Sequence, residues 1–183
     1  MAPTASKVES AHSNGRRFEP RPPGVFLSLK NQALQLLARN APGATSVRVQ
    51  LHKWRGVHIG KHVWIGYDTV IETSHPELVT IRDRATIQMR ATIIAHFREQ
   101  SGVVIEEDAT VGPGAMILPN VTIGQGSIVT AGSVVTKSVP PRTMVQGNPA
   151  RPIATVDIPL RLDVSLKEFF KGLRPIRSGG SGR

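Results

Sequence analysis

The chain has 183 residues, with 23 Lys and Arg against 13 Asp and Glu for a formal charge of +10, and it contains no cysteine. Disulfides, thiolate metal sites and a Cys nucleophile are therefore excluded. With 39% hydrophobic residues, no apolar run near the roughly 18 residues of a spanning helix and no apolar h-region at the N-terminus, the composition predicts one soluble, cytoplasmic domain with a sizeable core.

Residues 1–22 carry a net +2 and read as a flexible tail; 161–183 carry +4, and the remaining +4 is spread over the 138 residues between. Charge gathered in tails solvates more than it recognises, and no nucleic-acid-binding motif accompanies it. Residues 23–44 are predicted as an N-terminal helix: Phe26, Leu29, Leu34 and Leu37 recur at helical spacing, and Pro42-Gly43 stops the run. From Ile59 an aliphatic residue returns at every sixth position, in the sets Ile59, Ile65, Ile71, then Ile81, Ile87, Ile93, then Ile105, Val111, Ile117, Ile123, Val129, Val135. Four places after most of these stands a small or β-branched residue, such as Ala85, Ala109, Ser127 and Ser133, with Gly, Asp and Asn crowded between. A helix wants a period of 3.6 and a half-buried strand a period of two. A period of six suits a short parallel strand followed by a sharp corner, three sides to a coil, with coils stacked at about 4.8 Å.

Val47, Leu51 and Val57 fit the same phase extended backward, so the stack is expected to occupy 45–155, with Pro140-Pro141 ending its regular part. Residues 156–176 read as an extension with a short helix, opened by a Ser165/Glu168 capping box and carrying Phe169, Phe170 and Leu173. The run 177–183 reads as a second flexible tail.

The segments HPELVTIRDRATI (75–87), ATIIAHF (91–97), IGQGSIVTAGSVVTKSVPP (123–141) and GNPARPI (147–153) resemble the hexapeptide-repeat acyltransferases, nearest to the galactoside, maltose, nodulation-factor and serine acetyltransferase group. That resemblance implies a mainly β fold, a left-handed parallel β-helix with short flanking helices. It also implies a homotrimer with sites between subunits, acetyl-CoA as acyl donor, and no metal.

His96 directly follows the hexad strand ATIIAH, where the family places its catalytic base. Imidazole is suited to take a proton from an acceptor hydroxyl near neutral pH and return it to the leaving thiolate. No carboxylate that orients His96 is identified by the sequence; Glu99, Asp68 and Glu72 are candidates. For the acceptor side the resemblance offers Asp68, in GYDTV, together with Glu72, His75 and Glu99. For CoA it offers Gly114 and Ala131 through their backbone, and Thr136, Lys137 and Arg151, the two cations facing phosphates. Where several relatives place a further basic residue, three positions after the GNPAR arginine, this chain has Ala154, with Arg142 or the C-terminal segment as substitutes. Ile105 follows Ile93 by twelve residues, two hexads, so no extra loop is expected after His96 and the pocket should be open enough for a bulky glycan or lipid-linked sugar.

The function that follows is acetyl-CoA-dependent O-acetylation of a sugar, glycan or glycosylated metabolite. Transfer to an amine, or from an acyl carrier protein, remains open because one His base serves either. A zinc enzyme resembling γ-type carbonic anhydrases is disfavoured: His58 and His62 stand four apart rather than five, and no His follows His96. A non-catalytic scaffold is the last alternative. No nucleophile elbow, P-loop, dinucleotide fingerprint or zincin motif occurs, and Ser133 fills a small corner position.

Overall fold

The computed structural model describes residues 24–96 and 102–176. Helix α1 spans Val25–Asn40 and ends as Ala41 turns to extended backbone ahead of Pro42. A second helix, α2, spans Val47–Arg55 and is closed by Gly56 in the left-handed conformation at φ 112°. The stack therefore begins at His58 rather than near residue 45. VRVQLHKWR holds no Gly, Asn or Asp to turn a corner, so its backbone closes helical bonds instead.

The coils that follow give each of three sheets one strand per turn. Sheet A takes β1 (His58–Ile59), β4 (Val79–Ile81), β7 (Val103–Ile105) and β10 (Thr122–Ile123). Sheet B takes β2 (Trp64–Ile65), β5 (Thr86–Ile87), β8 (Thr110–Val111) and β11 (Ile128–Val129), and sheet C takes β3 (Val70–Ile71), β6 (Thr92–Ile93), β9 (Met116–Ile117) and β12 (Val134–Val135). All pair in parallel, and the hexad aliphatics lie in register: Ile59 on Ile81 on Ile105 on Ile123, Ile65 on Ile87 on Val111 on Val129, Ile71 on Ile93 on Ile117 on Val135. Each ladder is one side of a single buried core. At roughly 1.5–3 kcal/mol per buried aliphatic side chain, these ladders are the main source of stability.

The corners explain the residues between. One place before each small position the backbone turns left-handed, at His62, Asp68, Arg84, Arg90, Asp108 and Asn120 as well as at Gly114, Gly126 and Gly132. Glycine is thus favoured there but not required. Gly112 is held for another reason: a Cβ on it would lie 2.6 Å from the Val129 carbonyl oxygen and 2.8 Å from the Ala131 nitrogen of the next coil.

Pro140-Pro141 ends the three-sided coils but not the parallel pairing. Strand β13 (Thr143–Gly147) still lies parallel to β11, and the chain then reverses into β14 (Ala150–Val156) and β15 (Leu173–Pro175). Between them α3 (Leu166–Lys171) starts at Ser165, whose side chain accepts from the Glu168 amide at 3.2 Å, as the capping box predicts. Leu160, Val164, Phe169 and Leu173 pack over Ile128, Met144 and Val156, so the extension covers sheet B. The outer faces of A and C keep Thr80, Val104, Thr122 and Val70, Thr92, Met116, Val134 partly exposed.

Helix α1 is turned the other way from the usual arrangement. Asn31, Gln35 and Ala38 face the protein, whereas Val25, Phe26, Leu29, Leu36 and Leu37 point outward, Phe26 at 91% exposure. No described helix is long and apolar enough to cross a membrane.

Candidate active site

The corner that joins sheet C to sheet A carries the chain's two insertions. From Ile117 to Ile123 it takes six residues, but ten from Ile71 to Ile81 and twelve from Ile93 to Ile105. Because β6 and β7 sit on adjacent sheets, the last interval is one enlarged corner, not two hexads. Six extra residues therefore separate these strands, contrary to the expectation of none; residues 97–101, Glu99 among them, lie outside the described residues. The shorter insertion forms a 3-10 turn at Pro76–Leu78 with His75 at its head. Two enlarged corners on neighbouring coils thereby bring His75 and His96 together, ring centroids 6.2 Å apart.

Glu72, the first residue after β3, holds this corner. Its Oε1 accepts from the amides of Ser74 (2.8 Å) and His75 (3.2 Å), and its Oε2 from those of Ala95 (2.8 Å) and His96 (3.1 Å). Oε2 also meets His96 Nδ1 at 2.7 Å. The Glu72 side chain is 1% exposed and that of His96 is 47%. Burial by itself raises the Glu72 pKa, but the bonds from the His96 ring and from the Ala95, Ser74 and His75 amides outweigh it and bring the carboxyl down to about 2. An ionised carboxylate only accepts, so His96 Nδ1 carries a proton, and in the neutral imidazole the lone pair is then on Nε2. A buried carboxylate thus orients a half-exposed imidazole. Glu72, a candidate both to orient His96 and to contact the acceptor, stands behind His96, with five donors on its two oxygens.

His75 packs beside this pair, its side chain 12% exposed and its Nδ1 3.1 Å from Glu77 Oε1. Asp68 lies one corner earlier, between sheets B and C, where its carboxylate is bound by Arg39 of α1 at 2.5 Å and approached by Arg90 at 3.8 Å. The structure does not bring it to His96; it ties α1 to the first coil. Thr136 and Lys137 occupy the His96 corner, two coils further along the ladder that runs from Ile94 to Leu118 to Val135, about 10 Å away at the usual strand spacing. Lys137 and Arg151 share a cleft of about 330 Å³ with Ser138, Pro140 and Pro152. Gly114 and Ala131 sit on the neighbouring corner, between B and C, Gly114 with open space where a Cβ would be. Ala154 is buried in the terminal hairpin, and Arg142 donates to the Asp157 carbonyl at 2.8 Å. Among the described residues no group of three or more His, Asp or Glu could hold a metal ion.

Residues 102–137 match the model of the bacterial transferase hexapeptide (six repeats). Over 132 residues, 69% of this chain and 77% of the relative, the sequence is 30% identical to YvoF, a candidate acetyltransferase of Bacillus subtilis. It is 34% identical over 94 residues to the galactoside O-acetyltransferase of Lactococcus lactis, spanning 51% of this chain and 40% of that protein. Over 54 residues it is 50% identical to a 2,3,4,5-tetrahydropyridine-2,6-dicarboxylate N-acetyltransferase of Clostridium perfringens, spanning 30% and 23%. The chain thus spans less than half the length of these last two relatives. A hexapeptide-repeat acetyltransferase of Vibrio cholerae, solved with acetyl coenzyme A, superimposes with a TM-score of 0.52 at 26% identity, covering 71% of this chain and 87% of that one. With its in-register Ile and Val ladders and its match along most of YvoF, the chain belongs to the hexapeptide-repeat transferase family.

Proposed function

We propose that this chain is an acetyl-CoA-dependent O-acetyltransferase acting on a hydroxyl of a sugar, glycan or glycosylated metabolite, with His96 as general base. The observation that carries the reading is the Glu72–His96 pair, a buried carboxylate holding the Nδ1–H of an imidazole that is itself half-exposed. His96 Nε2 takes the acceptor's O–H proton as that oxygen bonds to the thioester carbonyl carbon. The Glu72 carboxylate steadies the imidazolium that forms. As the C–S bond breaks, His96 returns the proton to the CoA sulfur, leaving an acetyl ester and free CoA. Lys137 and Arg151 are suited to the nucleotide phosphates, His75 to the acceptor.

Acetyl-CoA as donor is supported by the Vibrio relative solved with it, and a hydroxyl acceptor by the likeness to a galactoside O-acetyltransferase. Transfer to an amine is a second reading, favoured by the likeness to an N-acetyltransferase. The site is proposed to lie between copies of the chain in a homotrimer, because Gly114 and Ala131 occupy a different corner from Thr136, Lys137 and His96. A second copy would also cover the outward apolar stripe of α1. Light scattering tests this: a mass near three times the 19.8 kDa of one chain is expected, and a monomer would oppose it.

The decisive variant is His96→Ala. It is expected to fold and to bind acetyl-CoA, but to lose roughly 10²–10⁴-fold in turnover, the range typical of a general base. Turnover close to wild type would remove His96 from that role.

A further inference from the structure

The mechanism above makes no use of a buried cation that reaches the same corner from behind. Arg55, the last residue of α2, is 3% exposed. Its Nη2 donates to the carbonyl of Ile71 at 2.7 Å and also to that of Glu72, the two residues at which the chain leaves β3. Its Nη1 donates to Gln35 Oε1 of α1 and lies 2.9 Å from His52 Nδ1. Gln35 is itself fixed, since its Nε2 donates to the Thr69 carbonyl at 2.8 Å. A guanidinium only donates, so His52 must accept at Nδ1 and be neutral. Burial, with Arg55 and Arg48 nearby, lowers the His52 pKa to about 3, in agreement with that assignment. Arg55 itself, lowered by burial to about 10 against the opposing pull of Glu72, remains charged at neutral pH.

These contacts form a chain from α1 through α2 to the backbone that carries Glu72. Side-chain geometry at Glu72 can be no better fixed than the two peptide planes beneath it; Arg55 holds both carbonyls through Nη2, while the other arm of its rigid fork, Nη1, is anchored on Gln35 and His52. We propose that Arg55 is a positioning residue for the Glu72–His96 pair, which makes the N-terminal helical hairpin part of the site rather than a cap on the stack. The role rests on the general-base reading of His96, yet the arrangement is open to a test that needs no turnover.

The experiment compares wild type with Arg55→Met and Arg55→Lys in the full chain, by ¹⁵N NMR of the histidine ring nitrogens and by steady-state kinetics. In wild type, His96 is expected in the Nδ1–H form held by Glu72. In Arg55→Met the Nε2–H form should appear as well, with kcat down on the order of 10²-fold, as expected for a displaced catalytic group, and KM for acetyl-CoA unchanged. Arg55→Lys keeps the charge but not the fork, and should recover only part of both. Wild-type tautomer and kcat in both variants would overturn the proposal. So would failure of both to fold, which would leave Arg55 a purely structural residue. If no acceptor supports turnover, the general-base reading fails, while the NMR comparison still decides whether Arg55 positions the pair.

Discussion

Replacing Glu72 by Gln changes one oxygen to an amide that cannot accept, at a site where each oxygen receives two backbone N–H groups. Whichever way the amide faces, two backbone donors lose their partner, about 1–3 kcal/mol each, or roughly 2–6 kcal/mol in all. The ionisation of Glu72 gives a second measure: a carboxyl brought from 4.5 to about 2 stabilises the folded state by roughly 3 kcal/mol at 1.36 kcal/mol per unit. For a chain of this length that corresponds to a melting temperature lower by on the order of 10 °C. Since the folded-state pKa is the lower one, the contribution is complete above about 4.5 and disappears as pH falls toward about 2. The gap between wild type and Glu72→Gln should therefore narrow through that window. Scanning calorimetry from pH 7 to 3 reads the gap, and CoA release at pH 7 should fall by roughly 10²–10⁴-fold as His96 loses its charged partner. Equal melting temperatures at pH 7, or equal turnover, would refute the assignment of Glu72.

His52 sets an earlier acid threshold: its pKa is lowered from 6.5 to about 3, so protonation favours the unfolded chain as pH drops below about 6.5, and melting should begin to decline there rather than near 4.5. Ile117→Asp buries an unpaired charge at a fully buried rung and should abolish cooperative melting; a normal transition would contradict the coil register. Gly112→Ala sets a Cβ against the backbone of the next coil and should lower the melting temperature by several degrees, which differential scanning fluorimetry would detect. Glu in place of Lys137 and Arg151 together should raise KM for acetyl-CoA at least tenfold while leaving kcat nearly unchanged, and an unchanged KM would move the phosphate site elsewhere.

The hexad positions were legible because every coil needs the same inward aliphatic and the same small corner residue, and both fall where the spacing places them. The α2 segment misleads because Val47, Leu51 and Val57 keep the phase while the helix itself holds no Gly, Asn or Asp. Phase alone is not enough without turn chemistry. His96 and His75 could be singled out from their neighbours in sequence. Their meeting depends on two insertions of different length falling on the same corner, which the register makes visible and the spacing alone does not. Glu72 is one of three candidate carboxylates in the sequence and only the fold singles it out, since nothing linear indicates that a carboxylate 24 residues before His96 faces inward. The apolar spacing of α1 points to Phe26, Leu29, Leu34 and Leu37, yet the two helices reach the stack through the polar side chains of Gln35 and Arg55.

The central claim, that this corner binds acetyl-CoA and activates an acceptor beside it, is most directly tested by titrating acetyl-CoA into the purified protein by calorimetry while following CoA release with sugar and amine acceptors. Saturable binding, with release that rises when a hydroxyl acceptor is added, is the predicted result. A folded protein that takes up no acetyl-CoA would contradict the account.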